Sequence, residues 1–318
     1  MVRLVASRLL RLIPVLVIVS IGTFLMVDLV PGDPAEQVLG PNSTRDEYLR
    51  VRESMGLDEP MVERYLDWVG GALQGDLGRN LVPPVEDVST RLVRAFPVNI
   101  ELAVLALVMA LAVSVPLAMW TAQKPDSRID RIATSGTFAV IAVPPFLASI
   151  VLVLVFAIYF PVFPLGQWVR PSDGGWASNL HHAFLPALTL ALPEMATFTR
   201  VLRSDMITTL QEDYIQAARG KGLPQRLIVL RHALRPSSFS LITLVGVSIG
   251  RLMGGTIVIE QVFSLPGVGR VVVDGARQSD FTVVQSGVLA IAVVYVVVGF
   301  VVDIAYGYLD PRVSHAGR

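Results

Sequence analysis

Cysteine and histidine, which carry much catalytic and metal chemistry in proteins, are scarce in this sequence. No cysteine occurs among the 318 residues, which excludes disulfides, Cys-ligated zinc, iron–sulfur clusters and thiol nucleophiles. His181 and His182 are adjacent, and neighbours on a helix point about 100° apart, so we interpret them as a solvated pair rather than as metal ligands. None of the four histidines, His232 and His315 included, falls in the middle of an apolar run. A hydrolase working inside a membrane would therefore lack its base.

Two ionisable residues interrupt long apolar runs and are candidates for a site. Glu194 and Arg251 would be costly inside a membrane, which makes them functional candidates by default. We read the two runs, residues 184–202 and 239–259, as membrane helices whose outer ends are residues 184 and 259. At a rise of 1.5 Å per residue, Glu194 would lie about 15 Å and Arg251 about 12 Å below these ends, so the two could pair. Either they line a passage for a charged solute, or Arg251 reaches the interface or backbone carbonyls and Glu194 faces a neighbouring helix.

The tripeptide Gly220-Lys221-Gly222 invites comparison with phosphate-binding loops. It lacks the upstream glycine at the required spacing, the following Ser or Thr, and a preceding strand. No other stretch fits a nucleotide-binding Walker A motif. Any ATP that drives this protein would therefore be hydrolysed by another subunit.

Composition indicates that the chain folds in lipid. Hydrophobic residues make up 53% and charged residues 16% of the sequence, and the mean hydropathy is +0.60. Soluble domains carry roughly 25% charged residues. The formal net charge of zero argues against a nucleic-acid partner.

Six apolar stretches come near the length of a transmembrane helix, which needs about 20 residues, and are read as such helices. They cover residues 12–27, 102–123, a part of 132–160 interrupted by Pro144 and Pro145, about 184–202, 239–259 and 282–302. The fourth is the weakest, since it contains prolines and Glu194. The two halves show no convincing internal repeat, which disfavours an ion-coupled secondary transporter.

Lys and Arg concentrate in alternate loops, which predicts that both termini are cytoplasmic. The long 28–97 segment then lies outside, and residues 12–27 form an uncleaved helix rather than a signal peptide. Within the outer segment, one helix is predicted from apolar residues at helical spacing, with Gly70-Gly71 as its stop: Leu57, Met61, Tyr65 and Trp68.

A cytoplasmic helical hairpin is predicted between the fourth and fifth helices. Apolar and small residues recur every three or four positions, so the fourth helix should continue inward: Leu202, Met206, Leu210, Tyr214 and Ala217/Ala218. Gly220 and Gly222 would end it. Pro224 would begin a second helix over residues 225–234, which Pro236 would end.

The hairpin's predicted tip carries only small side chains, with basic residues around it. Small residues allow a partner's backbone to approach closely, which favours a docking site. A solvated loop that merely obeys the positive-inside rule would explain the charges equally well, but not the small tip.

The hairpin resembles the EAA loop of ABC-importer permeases, in the sequence Ala217-Ala218, three residues, then Gly222. The wider pattern Asp213-Tyr214-Ile215 through Leu223, with His232-Ala233-Leu234-Arg235, resembles the dipeptide/oligopeptide branch. Further matches run along nearly the whole chain: Pro31-Gly32-Asp33-Pro34, Gly56-Leu57-Asp58, Gly75-Asp76-Leu77-Gly78, Leu265-Pro266-Gly267-Val268-Gly269-Arg270 and Asp310-Pro311-Arg312. Gln216 replaces the glutamate that names the motif, and Gly220 replaces its usual alanine.

This resemblance implies an all-α membrane protein with the type I ABC-importer permease fold, six transmembrane helices and cytoplasmic termini. Its parts would be an N-terminal helix (1–30), an extracytoplasmic segment (31–97), a permease core of five helices (98–308) with a coupling loop (204–236), and a cytoplasmic tail (309–318). The expected cargo is di- or oligopeptides, with nickel or glutathione as alternatives within the class, and the expected location is the cytoplasmic (inner) membrane.

The resemblance also implies roles for residues. Coupling to the ATPases would run through the 211–223 loop, by Asp213, Tyr214, Ala217, Ala218, Arg219, Gly222 and Leu223. Glu194 and Arg251 would line the translocation pathway. The 260–280 segment, predicted as turns rather than helix, would gate the pathway outside or meet a binding protein, by Glu260, Phe263, Pro266 and Gly267.

The resemblance implies several partners. They are a second homologous permease, two cytoplasmic ATPases, an extracytoplasmic solute-binding protein, the peptide substrate and membrane lipid. This chain itself would not be an enzyme and would carry no cofactor or metal, since ATP and Mg²⁺ would bind the ATPase subunits.

Overall fold

A computed structural model describes residues 2–29, 33–39, 44–54 and 56–309 of the chain. These residues are organised as helices and connecting turns, and the described part contains no β-strand beyond an isolated bridge between Arg79 and Asp87. The predicted all-α class is confirmed. The Pro31-Gly32 half of one motif, Asp310-Pro311-Arg312 and nearly all of the predicted tail lie outside the described residues.

Fourteen α-helices are described in these ranges. They are α1 Val2–Asp28, α2 Pro34–Leu39, α3 Arg45–Ser54, α4 Met61–Leu73, α5 Val88–Ala122, α6 Arg128–Ala142, α7 Pro145–Val153, α8 Pro171–Leu210, α9 Asp213–Gly220, α10 Gln225–Leu227, α11 Leu234–Gly254, α12 Ile257–Val262, α13 Val268–Arg277 and α14 Phe281–Leu309. Two π-helical turns, Leu154–Tyr159 and Ile228–Ala233, extend α7 and join α10 to α11.

Three helical stretches of the described chain are long and apolar enough to cross a membrane: Val88–Ala122, Gln225–Gly254 and Phe281–Val302. The pair Arg128–Ala142 and Pro145–Tyr159 gives a fourth if it counts as one bent span. Leu12–Met26 is a shorter apolar stretch, and α8 is long but carries charges. These helices agree with a multi-pass membrane protein, while the count of six stays a prediction.

The bend between α6 and α7 measures 101° and coincides with Pro144-Pro145. Val143 has an extended backbone, with φ −86° and ψ 121°. A residue that precedes proline is pushed out of the α region, so the first proline ends α6, while Pro145 suits the first turn of α7. The sequence therefore places this break.

The chain divides into two compact units. The first comprises Met1–Asn99, Met253–Glu260 and Pro266–Phe300, and the second comprises Ile100–Leu252, Gln261–Leu265 and Val301–Arg318. One hydrophobic cluster among the described residues of the first unit is formed by Val88, Leu92, Ala95, Val268 and Val283.

Helix α4 packs on α1 within the first unit. Phe24 of α1 lies 5.4 Å from the ring of Tyr65 and 6.2 Å from that of Trp68, both on α4. The Ser20 and Tyr65 hydroxyls share a hydrogen bond of 2.8 Å. Helix α4 runs to Leu73, so the predicted stop at Gly70-Gly71 is wrong. A helix tolerates glycine at a cost of about 1 kcal/mol when its neighbours are packed.

The prediction of turns over residues 260–280 is also wrong, because α12 and α13 occupy most of this segment. Gly267 begins α13 from an extended conformation (φ −89°, ψ 176°). Val268, Val272 and Gly275 are buried, four and three residues apart, and give the helix one inward face. The prolines and glycines that suggested a loop are confined to its N-terminal end.

Candidate functional site: a helical hairpin and an ion pair

The hairpin begins with a break that the sequence pattern did not predict. Helix α8 ends at Leu210, and Glu212 takes an extended conformation (φ −64°, ψ 146°) before α9 starts at Asp213. β-Branched Thr208 and Thr209 weaken the end of α8, and the two acidic residues suit the positive N-terminal end of α9. The predicted continuous helix is therefore wrong, although its apolar spacing carries across the break.

The turn after α9 is a Schellman motif centred on Gly222. The Leu223 N–H donates to the Ala218 carbonyl at 3.3 Å, and the Gly222 N–H donates to the Arg219 carbonyl at 2.9 Å. Gly222 has φ +76°, a left-handed conformation that glycine adopts without steric cost. Gly220 is the last helical residue. Of the two predicted stop residues, Gly222 is the one that turns the chain.

Helix α9 has a buried side and an exposed side. Ile215 is fully buried and Ala218 nearly so, while Leu223 is half-buried. The other predicted coupling residues are exposed: Asp213, Tyr214, Ala217, Arg219 and Gly222. Ala218 therefore helps to seat α9, and the exposed small surface is formed by Ala217, Gly220 and Gly222. Ile215 was not predicted, although its position three residues before Ala218 indicated it.

The second helix of the hairpin does not end at Pro236, contrary to the prediction. The chain is helical from Gln225 to Gly254, with Pro236 in the first turn of α11. Proline cannot donate to the carbonyl four residues earlier, that of His232. The Tyr214 hydroxyl donates to this carbonyl at 3.2 Å. Partial desolvation of the hydroxyl, together with the charge of Glu212, raises the pKa of Tyr214.

Two further contacts fix the base of the hairpin. The Ser237 hydroxyl donates to that of Thr209 at 2.9 Å, which joins α11 to α8. On α8, Arg203 donates from Nε and Nη2 to both oxygens of Asp130, at 2.5 and 2.6 Å. Asp130 is buried at the start of α6, which Ser127 caps by accepting a hydrogen bond from the Asp130 N–H. The Ser127-x-x-Asp130 spacing signals this helix start, but nothing in the sequence pairs Asp130 with Arg203.

Glu194 and Arg251 form the ion pair that their predicted depths permitted. Arg251 Nη2 donates to Glu194 Oε1 at 2.5 Å, and the Ser248 hydroxyl donates to Oε2 at 2.6 Å. The side chain of Glu194 is 2% exposed and that of Arg251 is 58% exposed. Because α11 ends at Gly254, Arg251 lies in its last turn, whereas the sequence placed it deeper in a helix ending at residue 259.

Glu260 is fully buried in the first unit and holds the start of α13. Its Oε1 accepts from Asn99 Nδ2 at 2.7 Å and from the Thr256 hydroxyl at 2.5 Å, and its Oε2 accepts from the Arg270 N–H at 2.8 Å. A side chain on Gly267 would place its Cβ 2.4 Å from the Glu260 carboxyl carbon. These contacts give Glu260 and Gly267 a structural role.

The predicted outer-gate residues therefore differ in their exposure. Glu260, Gly267 and Phe263 are buried, and Pro266 is exposed. The side chains of Glu260 and Phe263 and the backbone of Gly267 are therefore not accessible to a binding protein in this conformation. A gating role for the segment stays a prediction, with Pro266 as its exposed member.

The two adjacent histidines bond to backbone carbonyls of their own surroundings. A ring nitrogen of His181 lies 2.7 Å from the Val162 carbonyl oxygen, and one of His182 lies 2.8 Å from that of Ser178. Each ring therefore binds a separate loop or helix carbonyl. Within the described ranges, no group of three or more His, Cys, Asp or Glu residues is placed to hold a metal ion.

Comparison with known proteins identifies the class. Residues 114–315 match the family described as the inner membrane component of binding-protein-dependent transport systems, and residues 1–83 match the N-terminal part of such components. The oligopeptide transport system permease protein AppB of Bacillus subtilis strain 168 is 33% identical over 312 residues, covering 98% of this chain and 99% of the relative. The glutathione transport system permease protein GsiC of Escherichia coli K12 is 34% identical over 318 residues, covering 99% and 100%.

A multi-pass membrane protein of the ABC-importer permease class is thus what the helices and the relatives define. The chain belongs to the binding-protein-dependent transport family of inner-membrane components. The resemblance to peptide permeases drawn from the sequence motifs is confirmed. The family is one of transport permeases rather than enzymes.

Proposed function

We propose that this chain is the permease subunit of an ATP-driven importer of di- and oligopeptides and forms half of the translocation pathway. The named activity of the oligopeptide relative supports this cargo. In this proposal six helices cross the membrane, both termini are cytoplasmic, and α9–α11 begin inside the cell. A second homologous permease, two ATPases and an extracytoplasmic binding protein complete the transporter.

The observation that carries the proposal is the build of the hairpin tip. Ile215 and Ala218 seat α9, and the Schellman turn holds Ala217, Gly220 and Gly222 on the outside with no bulky side chain among them. A small, ordered and exposed tip suits insertion into a cleft of another protein. Arg219 and Lys221 flank it and are exposed, ready to pair with acidic residues at the cleft's rim.

Movement of the tip would reach the membrane helices through bonded contacts. Tyr214 ties α9 to the second helix of the hairpin, Ser237 ties that helix to α8, and Arg203 ties α8 to α6. Closure of the ATPases on ATP would shift the hairpin, and α8 and α11 would move with it so that the pathway opens outward. Hydrolysis would restore the inward-open state. On these two helices, Arg251 lines the pathway in this proposal, and the buried Glu194 holds its guanidinium from behind.

Glutathione is a second candidate cargo, favoured by the relative of that name at 34% identity. It is a tripeptide with two carboxylates and would use the same pathway chemistry as a short peptide. Nickel stays an alternative, which uptake of labelled nickel by the same proteoliposomes would test.

The test exploits the absence of cysteine from this chain, so that an introduced thiol is the only one it contributes to the transporter. Ala217→Cys, in the complete transporter, should cross-link to an ATPase subunit, and Lys124→Cys, in the exposed turn between α5 and α6, serves as the matched control. Proteoliposomes that hold the complete transporter should accumulate a labelled tripeptide only with ATP and the binding protein. Uptake driven by a proton or sodium gradient without ATPases would overturn the proposal, as would failure of Ala217→Cys to capture an ATPase.

A further inference from the structure

The guanidinium of Arg251 is held in place by a buried carboxylate but is itself largely open. Only Nη2 contacts Glu194, at 2.5 Å, with a weaker contact to the Ser248 hydroxyl at 3.4 Å. Within the described residues, Nε and Nη1 have no hydrogen-bond partner. More than half of the side chain is exposed, whereas Glu194 is buried. The charges of Glu194 and Arg251 cancel, yet the exposed part of the pair is the Arg251 guanidinium, with Nε and Nη1 available to donate.

Arg251 lies near the end of α11, yet its guanidinium points toward Glu194, which is far from either end of α8. Glu194 lies about 24 Å, at 1.5 Å per residue, before the end of α8 at Leu210 and far from its other end. An arginine in the last turn of α11 could extend toward the headgroups, as long cationic side chains do. The guanidinium of Arg251 instead reaches the middle of α8, where both oxygens of Glu194 are occupied.

An exposed cation at this position does not suit hydrocarbon. A charged side chain in the bilayer core costs at least about 2.5 kcal/mol, so such residues face a watery cavity or another polar group. Burial of Glu194 means that this carboxylate cannot be reached by a solute, while the free donors of Arg251 can. Glu194 therefore fixes the orientation of the Arg251 guanidinium.

We propose that Arg251 binds the carboxylate at the C-terminus of the transported peptide, with Glu194 and Ser248 as its positioning residues. This inference rests on the proposed function. Guanidinium groups recognise carboxylates through paired, charge-assisted hydrogen bonds, and Nε and Nη1 are the donors left for them. An acidic side chain of the peptide offers the same chemistry, so the test separates the two carboxylate sources.

The experiment measures ATP-dependent uptake into proteoliposomes by the complete transporter carrying Arg251→Gln. Three labelled tripeptides of otherwise equal sequence serve as probes: the free acid, its C-terminal amide, and an amide with a central Asp. Loss of a charge-assisted pair should lower kcat/KM for the free acid about tenfold or more and leave the plain amide unchanged. Equal losses on the free acid and the Asp-containing amide would show that any carboxylate is read, which overturns the C-terminal assignment.

A double variant separates recognition from charge balance. If Arg251 only neutralises Glu194, Glu194→Gln combined with Arg251→Gln should restore uptake of the free acid, and the inference fails. Recognition predicts that the double variant still transports the amide and still discriminates against the free acid. Val247→Ala, one turn away and exposed, is the control.

Failure of this inference is distinguishable from failure of the proposed function. Absence of ATP-dependent uptake of every peptide by the wild-type transporter would overturn the proposed function. Loss of the assembled complex in Arg251→Gln, measured by co-purification of the second permease, would instead assign Arg251 to a subunit contact and overturn the carboxylate site.

Discussion

The Tyr214 hydroxyl bonds the carbonyl oxygen of His232, the acceptor that Pro236 cannot serve. Proline in a helix leaves the carbonyl four residues earlier without its usual donor. Here a tyrosine from the neighbouring short helix supplies one, at 3.2 Å. The helix therefore continues through the proline that was expected to end it. The His232 carbonyl, which Pro236 leaves without a backbone donor, instead joins α9 to the second helix of the hairpin.

Removal of this hydroxyl should loosen the hairpin. In Tyr214→Phe the contact is lost while the ring stays, at a cost of about 1 kcal/mol for one hydrogen bond. We expect normal assembly in the membrane but more ATP hydrolysed for each peptide imported, measured in proteoliposomes. Tyr159→Phe, at an exposed tyrosine in the π-helical turn after α7, is the control. An unchanged ratio of ATP to peptide in Tyr214→Phe would remove Tyr214 from the coupling path.

Substitutions at the two hairpin glycines should have opposite effects on stability. Gly220 is helical with open space at its Cβ position, so Gly220→Ala should stabilise α9 by up to about 1 kcal/mol. Gly222 has equal space but a left-handed backbone, so Gly222→Ala should destabilise the turn by about 1–2 kcal/mol. Thermal unfolding of the purified transporter in detergent measures both.

Bulk at the tip should disrupt docking rather than folding. Gly222→Trp carries a backbone strain comparable to that of Gly222→Ala, and it adds a large side chain on the exposed surface. We expect Gly222→Trp to reach the membrane and yet to uncouple ATP hydrolysis from uptake, while Gly222→Ala keeps them coupled. Normal coupling in the Trp variant would contradict a docking role for the tip.

The Asp130–Arg203 pair should respond to a change of geometry at constant charge. Arg203→Lys keeps the cation but loses the two-pronged contact with a carboxylate that is 3% exposed. Breaking a buried pair outright costs about 3–5 kcal/mol, so the lysine variant should lose part of this, about 1–3 kcal/mol. Arg128→Lys, exposed on the same stretch of chain as Asp130, should unfold at the wild-type temperature. Equal unfolding temperatures for the two variants would show that the contact contributes nothing.

Gly267 should tolerate no side chain. In Gly267→Ala the new Cβ would meet the buried Glu260 carboxyl group at 2.4 Å, so either the loop or the carboxylate must move. Overpacking of this kind costs about 1–3 kcal/mol. Gly70→Ala is the control, since α4 has open space there and the substitution should be neutral or stabilising. A Gly267→Ala protein as stable as wild type would show that Glu260 does not hold the start of α13.

The sequence could predict a turn that depends on local backbone geometry and the ionisable residues that interrupt apolar runs. Comparable depths permitted the Glu194–Arg251 pair without requiring it, and the turn at Gly222 followed from the conformational freedom of glycine. The break at Gln211–Glu212 and the survival of the helix through Pro236 were missed. The helix survives Pro236 because a contact from the neighbouring helix, the Tyr214 hydroxyl, overrides local preference. The break has local causes, β-branched Thr208 and Thr209 and the acidic start of α9, which the apolar spacing concealed. Arg203 is distant from Asp130 in sequence, and Asn99 is distant from Glu260, so periodicity carried no information about these two contacts.

The continuous helical stretch Gln225–Gly254 links the proposed ATPase contact to the proposed peptide contact. Its 30 residues extend over about 45 Å, with the hairpin turn at the first end and Arg251 at the last. The proposed ATPase contact and the proposed peptide contact therefore lie at opposite ends of one helical stretch. A displacement at one end can reach the other through this stretch alone. The π-helical turn and Pro236, near the ATPase end, are the places where this stretch would flex.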